Sequence, residues 1–272
     1  MERSFRILVG GSLILAASAT AGSASDERLP GELRETLRAD ATAFTPQYPL
    51  WSDGQDKRRW LHLPAGASID KSNPDRWEFP VGTRAWKEFS RAGAKVETRF
   101  IERLRDGSWR YATYLWNSEG TKALLAPEEG VPTRGIPSRA DCVACHEGAP
   151  APILGYSAVQ LETRLAPALG YLHGNCGHCH NDGALPALDL VFAQSAADPT
   201  ASAMRTAGAV LARRGRFRHD QPRGEVIVAR MKSQDPNVRM PPIGVQVADA
   251  RGIATLERWI TTELRQLQEN SQ

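Results

Sequence analysis

Cysteine is scarce: the 272 residues hold four, Cys142, Cys145, Cys176 and Cys179. All four fall in two short strings, which leaves none for a separate disulfide framework. Long apolar runs are also missing. The leading one, Ile7 to Ala17, is about eleven residues, whereas a spanning helix needs about twenty. No later segment is long and apolar enough to span. Nor is there an excess of one charge, with Lys+Arg 34 against Asp+Glu 31 and a formal net charge of +3. So mild a balance excludes the basic footprint of a nucleic-acid binder.

The first residues, MERSFRILVGGSLILAASATAGSAS, place Arg3 and Arg6 before the apolar run and small residues up to Ala24. That is the layout of a secretory signal peptide. Residues 1–24 are therefore expected to be removed, giving a periplasmic protein with no membrane span. Removal takes away Glu2, Arg3 and Arg6, two positive charges and one negative, leaving about +2. One dense basic run, RRGRFRH at 213–219, reads either as a solvated loop or as a docking patch for an acidic redox partner.

The cysteines themselves are informative. DCVACHE at 141–147 and NCGHCHN at 175–181 each contain C-x-x-C-H, the pattern of c-type haem attachment. Thiols three residues apart on a helical turn project to one side and can reach the two vinyl groups of a porphyrin. The next residue, a histidine, then lies beneath the ring. Cys142, Cys145 and His146 are expected to hold one covalent haem, and Cys176, Cys179 and His180 the second. A four-cysteine zinc site usually has its pairs fifteen to twenty residues apart and gives no reason for a histidine after both. A thioredoxin-like motif leaves the histidines unexplained and expects a βαβ pattern that is absent.

Six of the seven tryptophans lie between Trp51 and Trp116. In this stretch Val96, Thr98 and Phe100 alternate with Glu97, Arg99 and Ile101. Trp109, Tyr111, Thr113 and Leu115 alternate with Arg110, Ala112, Tyr114 and Trp116. Period-two patterning with frequent turn signals predicts an antiparallel β-sandwich-like domain. His62, the lone histidine here, reads as structural. Asp53 and Asp56, near Lys57, Arg58 and Arg59, read as a charged turn, with a small-ligand or ion site as the alternative.

From Ser138 the chain becomes rich in Ala and Leu. Asp249 reads as an N-cap ahead of Ile253, Leu256, Ile260, Leu264 and Leu267 at helical spacing. Just upstream is RMPPIG, where Met240 precedes two prolines of fixed φ. Its thioether can face an iron or fill a core. The order of haem string, Met-Pro loop and terminal amphipathic helix resembles that of a class I cytochrome c, which implies the iron. The expected class is α+β multidomain: linker or helix at 25–43, β-rich domain at 44–137, and a mainly α-helical dihaem cytochrome c domain at 138–272.

ALGYLHGNCGHCHNDG, VRMPPIG and LERWI resemble the haem domain of bacterial c-type cytochromes. YPLWSDG, RWEFPVGTRAWKEF, VETRFIER, YLWN, IPSRADCVACH and ILGYSAVQL resemble a group of secreted bacterial dihaem cytochromes of poorly defined role. The likeness runs over roughly residues 44 to 262. It implies His146 and His180 as proximal ligands and Met240 as a distal one. The implied function is electron transfer between redox protein partners. A dihaem peroxidase-like enzyme with an open haem is the alternative, although its strings typically sit in separate, similar domains. A third reading has the β-domain bind a ligand or partner that the haems serve.

The distal ligand of the first haem is sought among His62, His173, His178, His219, Met204 and Met231. His173, three residues before Cys176, occupies the segment between the two attachment sites and is the expected ligand. Its other reading is a histidine hydrogen-bonded to a propionate or to backbone. Bis-His ligation at one haem only would give the pair unequal potentials.

Overall fold

The alternation between residues 84 and 116 builds the centre of a six-stranded antiparallel sheet. β1 (Thr42–Phe44), β2 (Asp56–His62), β3 (Arg84–Arg91), β4 (Ala94–Arg103), β5 (Trp109–Trp116) and β6 (Ala123–Leu125) are neighbours in chain order. The structure, a computed structural model, describes residues 29–33, 40–185, 188–194, 199–211 and 223–263. The signal-peptide reading, the basic run with His219, and Leu264 and Leu267 all lie outside the described residues.

Register separates the two faces. Leu61, Ala85, Ile101 and Tyr111 are successive cross-strand partners, and so are Trp60, Trp86, Phe100 and Ala112 one position along each strand. A one-residue step reverses side-chain direction, so these rows lie on opposite faces. β3 turns into β4 through Ala92 and Gly93, both at positive φ, as a two-residue hairpin turn requires.

The expected sandwich is replaced by one sheet, because its second layer comes from later chain rather than from more strands. Leu61, Ala85, Ile101 and Tyr111 share a core with Trp77, Phe79, Ile153 and Ala158, and Cys142 packs against it. The opposite face buries Trp86, Phe100, Ala112, Tyr114 and Trp116 with Leu33. The first of these cores crosses the boundary drawn at 137/138, so the β-rich segment shares its core with residues of the helical one.

The helices are α1 (Arg139–His146), α2 (Ala158–Leu161), α3 (Pro167–Asn175), α4 (Pro199–Leu211), α5 (Arg223–Lys232) and α6 (Ala250–Arg258). Asp249 caps α6 as expected, its Oδ1 accepting the Gly252 N–H at 2.9 Å. The helix then loosens into a π turn over Trp259–Glu263. Leu169, Leu172, Leu190, Val228, Met231, Ile253, Leu256 and Trp259 form a helical core that Cys176 adjoins. Among the described residues no helix is long and apolar enough to cross a membrane. Among the described residues the architecture is thus an α+β mix of one antiparallel sheet and six helices.

Tyr48 joins sheet and helices. Its ring fills a groove over Gly170, where an added Cβ would lie 2.2 Å from ring atoms. Its hydroxyl accepts the Leu165 N–H at 2.5 Å, and its backbone exchanges two hydrogen bonds with the Gln160 amide at 3.0 Å. Gly170→Ala is expected to cost about 1–3 kcal/mol through overpacking, read as a lowered thermal midpoint. Only the tyrosine ring and α3 backbone can move to make room, so little of that cost can be relaxed away.

Candidate functional site

SRAD at 138–141 fixes where α1 begins. The Ser138 hydroxyl accepts the Asp141 N–H at 3.1 Å, while Asp141 Oδ2 accepts the Ser138 N–H at 2.8 Å, a capping box. With the start set, Cys142, Cys145 and His146 share a turn, and all three line one cleft. Phe44, Ala85, Ile101 and Tyr111 supply its apolar wall, Arg59, Lys87 and Arg99 a charged one, and Ile243 to Val245 a third side. The open space is about 980 Å³, solvent at the mouth included.

His146 is oriented by its neighbours. Its Nδ1 lies 2.6 Å from the Pro152 carbonyl oxygen, which can only accept. Nδ1 therefore carries the proton, and Nε2 keeps a free lone pair. Burial pushes its pKa down to about 4, against the opposing pull of the Pro152 bond. The imidazole is thus neutral, held by a backbone carbonyl on one nitrogen and available to a metal on the other, the usual arrangement of a ligating histidine. The Tyr111 ring lies against it, centroids 5.4 Å apart.

The second string follows α3 directly. The His180 N–H donates to the Cys176 carbonyl at 2.8 Å and the Cys179 N–H to the same oxygen at 3.1 Å, closing one helical turn. His180 Nδ1 is buried with no hydrogen-bond partner among the described residues. Burial raises the Cys176 thiol to about 12.

The two strings meet. Cys145 donates a hydrogen bond to Cys179; that bond, together with burial, raises Cys145 to about 12, and it lowers Cys179 against the opposing effect of burial. Ligand atoms of Cys145, His178 and Cys179 lie within 4.8 Å of one another. Asn181, 3 % exposed, ties the two segments: its Nδ2 donates to the carbonyls of Gly148, Gly177 and His178 at 2.9, 3.0 and 3.2 Å. Asn181 ends the string NCGHCHN, but nothing in the sequence assigns it a task of its own. Its position directly after a C-x-x-C-H string is the only signal that could have found it.

The charged turn has a task. Asp53 accepts the backbone N–H groups of Gln246 and Val247 at 2.9 Å, and the Trp51 indole donates to the Val247 carbonyl at 2.8 Å. YPLWSDG therefore clamps the loop after Met240 against the cleft. Asp53 is not a free ion site, since two backbone donors occupy it.

Met240 is half-buried, its N–H donating to the Arg230 carbonyl at 3.1 Å, and the Met240–Pro241 peptide is cis. Arg230 is also among the charges that His180 feels. Met231 belongs to the helical core, and Met204 is 40 % exposed. His62 lines neither cleft. His173 lines a neighbouring cleft with Asp75, Ala151 and Val191, and Ile153, Leu154 and His178 line both clefts. Its Nδ1 accepts the Phe192 N–H at 3.3 Å, which matches the backbone-bonded reading and leaves the proton of a neutral ring on Nε2. Burial holds it down to about 4. His178 is the second histidine in the cleft of His146.

No family model matches the chain, and neither a curated protein nor a solved structure matches it.

Proposed function

We propose that this chain is a periplasmic dihaem c-type cytochrome that carries electrons between redox protein partners. The observation that carries the reading is the Nδ1 contact of His146 with the Pro152 carbonyl, made inside the cleft that Cys142 and Cys145 line. The donor set fits a haem: two thiols and a neutral imidazole on one turn, facing apolar rings. Cys142 and Cys145 would hold the first haem covalently and His146 its iron; Cys176, Cys179 and His180 would hold the second, with Met240 distal. Bound haem supplies reversible one-electron chemistry at iron. The protein's own part is to keep His146 in the ligating tautomer, to exclude water with Phe44, Ile101 and Tyr111, and to fix the Met240 loop through Asp53. The resemblance to secreted dihaem cytochromes and the signal-peptide pattern support the periplasmic location.

A second reading rests on the convergence of Cys145, His178 and Cys179, a donor set suited to a soft metal such as zinc. It uses the same sulfurs, so the two readings exclude each other. It also leaves Cys142, Cys176, His146 and His180 without a task.

Redox titration of the matured protein is expected to give two reversible one-electron steps, and the reduced form to bind no carbon monoxide at neutral pH. Carbon monoxide binding at either ferrous haem would favour a peroxidase-like enzyme with an open site.

A further inference from the structure

Three cations stand in cross-strand register on the sheet face that walls the cleft: Arg59 opposite Lys87, and Lys87 opposite Arg99. Like charges facing each other across strands destabilise a sheet. Burial adds to the cost, because water no longer screens them. Arg59 is 6 % exposed, and its Nε, like that of Arg99, is buried without a hydrogen-bond partner among the described residues. Lys87 makes no ion pair among the described residues; its Nζ lies 5.4 Å from the Phe89 ring centroid.

Negative charge within reach falls short. Glu97 accepts from Arg99 at 2.6 Å, and its Oε2 has no hydrogen-bond partner among the described residues. Asp141 lines the cleft too, but its Oδ2 is engaged by the N–H and O–H of Ser138, both at 2.8 Å. The opposite face shows the contrast: there Arg84 and Arg110 converge on the single buried Glu102, with Arg84 Nε 2.8 Å from Oε1 and Arg110 Nε 3.1 Å from Oε2. Arg84 and Arg110 thus share a buried carboxylate on the face away from the cleft, whereas in the row of three toward it only Arg99 has one, Glu97, among the described residues. Burial accordingly depresses Arg59 to about 10 and Lys87 well below the lysine range, with the neighbouring guanidinium groups adding to the effect at Lys87.

We propose that Arg59, Lys87 and Arg99 form an anion site that binds the two propionate carboxylates of the haem attached at Cys142 and Cys145. The inference rests on the haem reading above and adds to it a task for the β-sheet: the sheet supplies the counter-charge and thereby sets the potential of the first haem. A cation beside a haem favours the ferrous state, so the row raises that potential.

The test uses the full matured chain with both haems. The first haem's potential is identified as the step that disappears in Cys142→Ala/Cys145→Ala. Arg59→Gln and Lys87→Met are each expected to lower that potential and leave the second unchanged, and to shift the propionate carboxylate bands in redox-difference infrared spectra. The charge-keeping variants Arg59→Lys and Lys87→Arg are expected to stay near the parent value. Arg84→Gln, on the far face, removes a cation without touching the row and is expected to move neither potential. Excess succinate is expected to leave the parent spectrum and potentials unmoved.

Two covalent haems with a first potential that responds to Arg59→Gln and Lys87→Met no more than to Arg84→Gln would overturn the inference alone. So would charge-keeping variants that shift as far as the neutral ones, since the role would then be packing. A saturable response to succinate would overturn it as well, by assigning the row to a free dicarboxylate. Absence of covalent haem would instead sink the reading of the strings.

Discussion

Met240→Ala is expected to abolish the far-red absorption band of the ferric protein and to lower the second haem's potential by on the order of 100 mV, within the ~0.8 V range that axial ligands set. The soft thioether favours ferrous iron, and alanine offers nothing in its place. The effect should be confined to one haem, since a single thioether can ligate only one iron. Optical redox titration reads both changes in one experiment. An unaltered far-red band would place Met240 among the packing residues, beside Met231.

The second large effect concerns the first haem's distal side, where chain order and geometry point to different histidines. His173 precedes Cys176 by three residues, but Phe192 occupies its Nδ1 and it lies in the neighbouring cleft. His178 lines that neighbouring cleft too, but it also lines the cleft of Cys142, Cys145 and His146. Electron paramagnetic resonance of His178→Ala is expected to show one low-spin signal turned high-spin, with the Met240-dependent band intact. His173→Ala is expected to keep both low-spin signals. The opposite pattern would return the ligand role to His173.

Much of the sheet was legible because period-two patterning is a local signal. Phe100, Ala112, Tyr114 and Trp116 were separable by eye from Ile101 and Tyr111, and the two sets do bury on opposite faces. Whether a second sheet or a helical segment covers a face is set by distant chain. Nothing in residues 96 to 116 announces Ile153 or Ala158. The α6 cap was legible for the same local reason, since Asp249 needs only the next three residues. Asp53 was not: its partners Gln246 and Val247 lie nearly two hundred positions away, so a local reading sees only a charged turn.

The candidate site divides in the same way. Cys142, Cys145 and His146 were found from spacing alone, because one helical turn brings them together. Pro152, which fixes the tautomer of His146, carries no motif. Nor does the row of Arg59, Lys87 and Arg99, whose three members come from three strands and become neighbours only through register. The approach of Cys145 to Cys179 is likewise a tertiary fact, held by Asn181.

The central claim is that both strings carry covalent haem, and intact mass spectrometry tests it most directly. The matured chain from a host with a haem-attachment system is expected to weigh the processed polypeptide plus two haems, and Cys176→Ala/Cys179→Ala the polypeptide plus one. A polypeptide mass without haem, accompanied by one equivalent of zinc that His178→Ala releases, would contradict it and assign Cys145, His178 and Cys179 to a metal site instead.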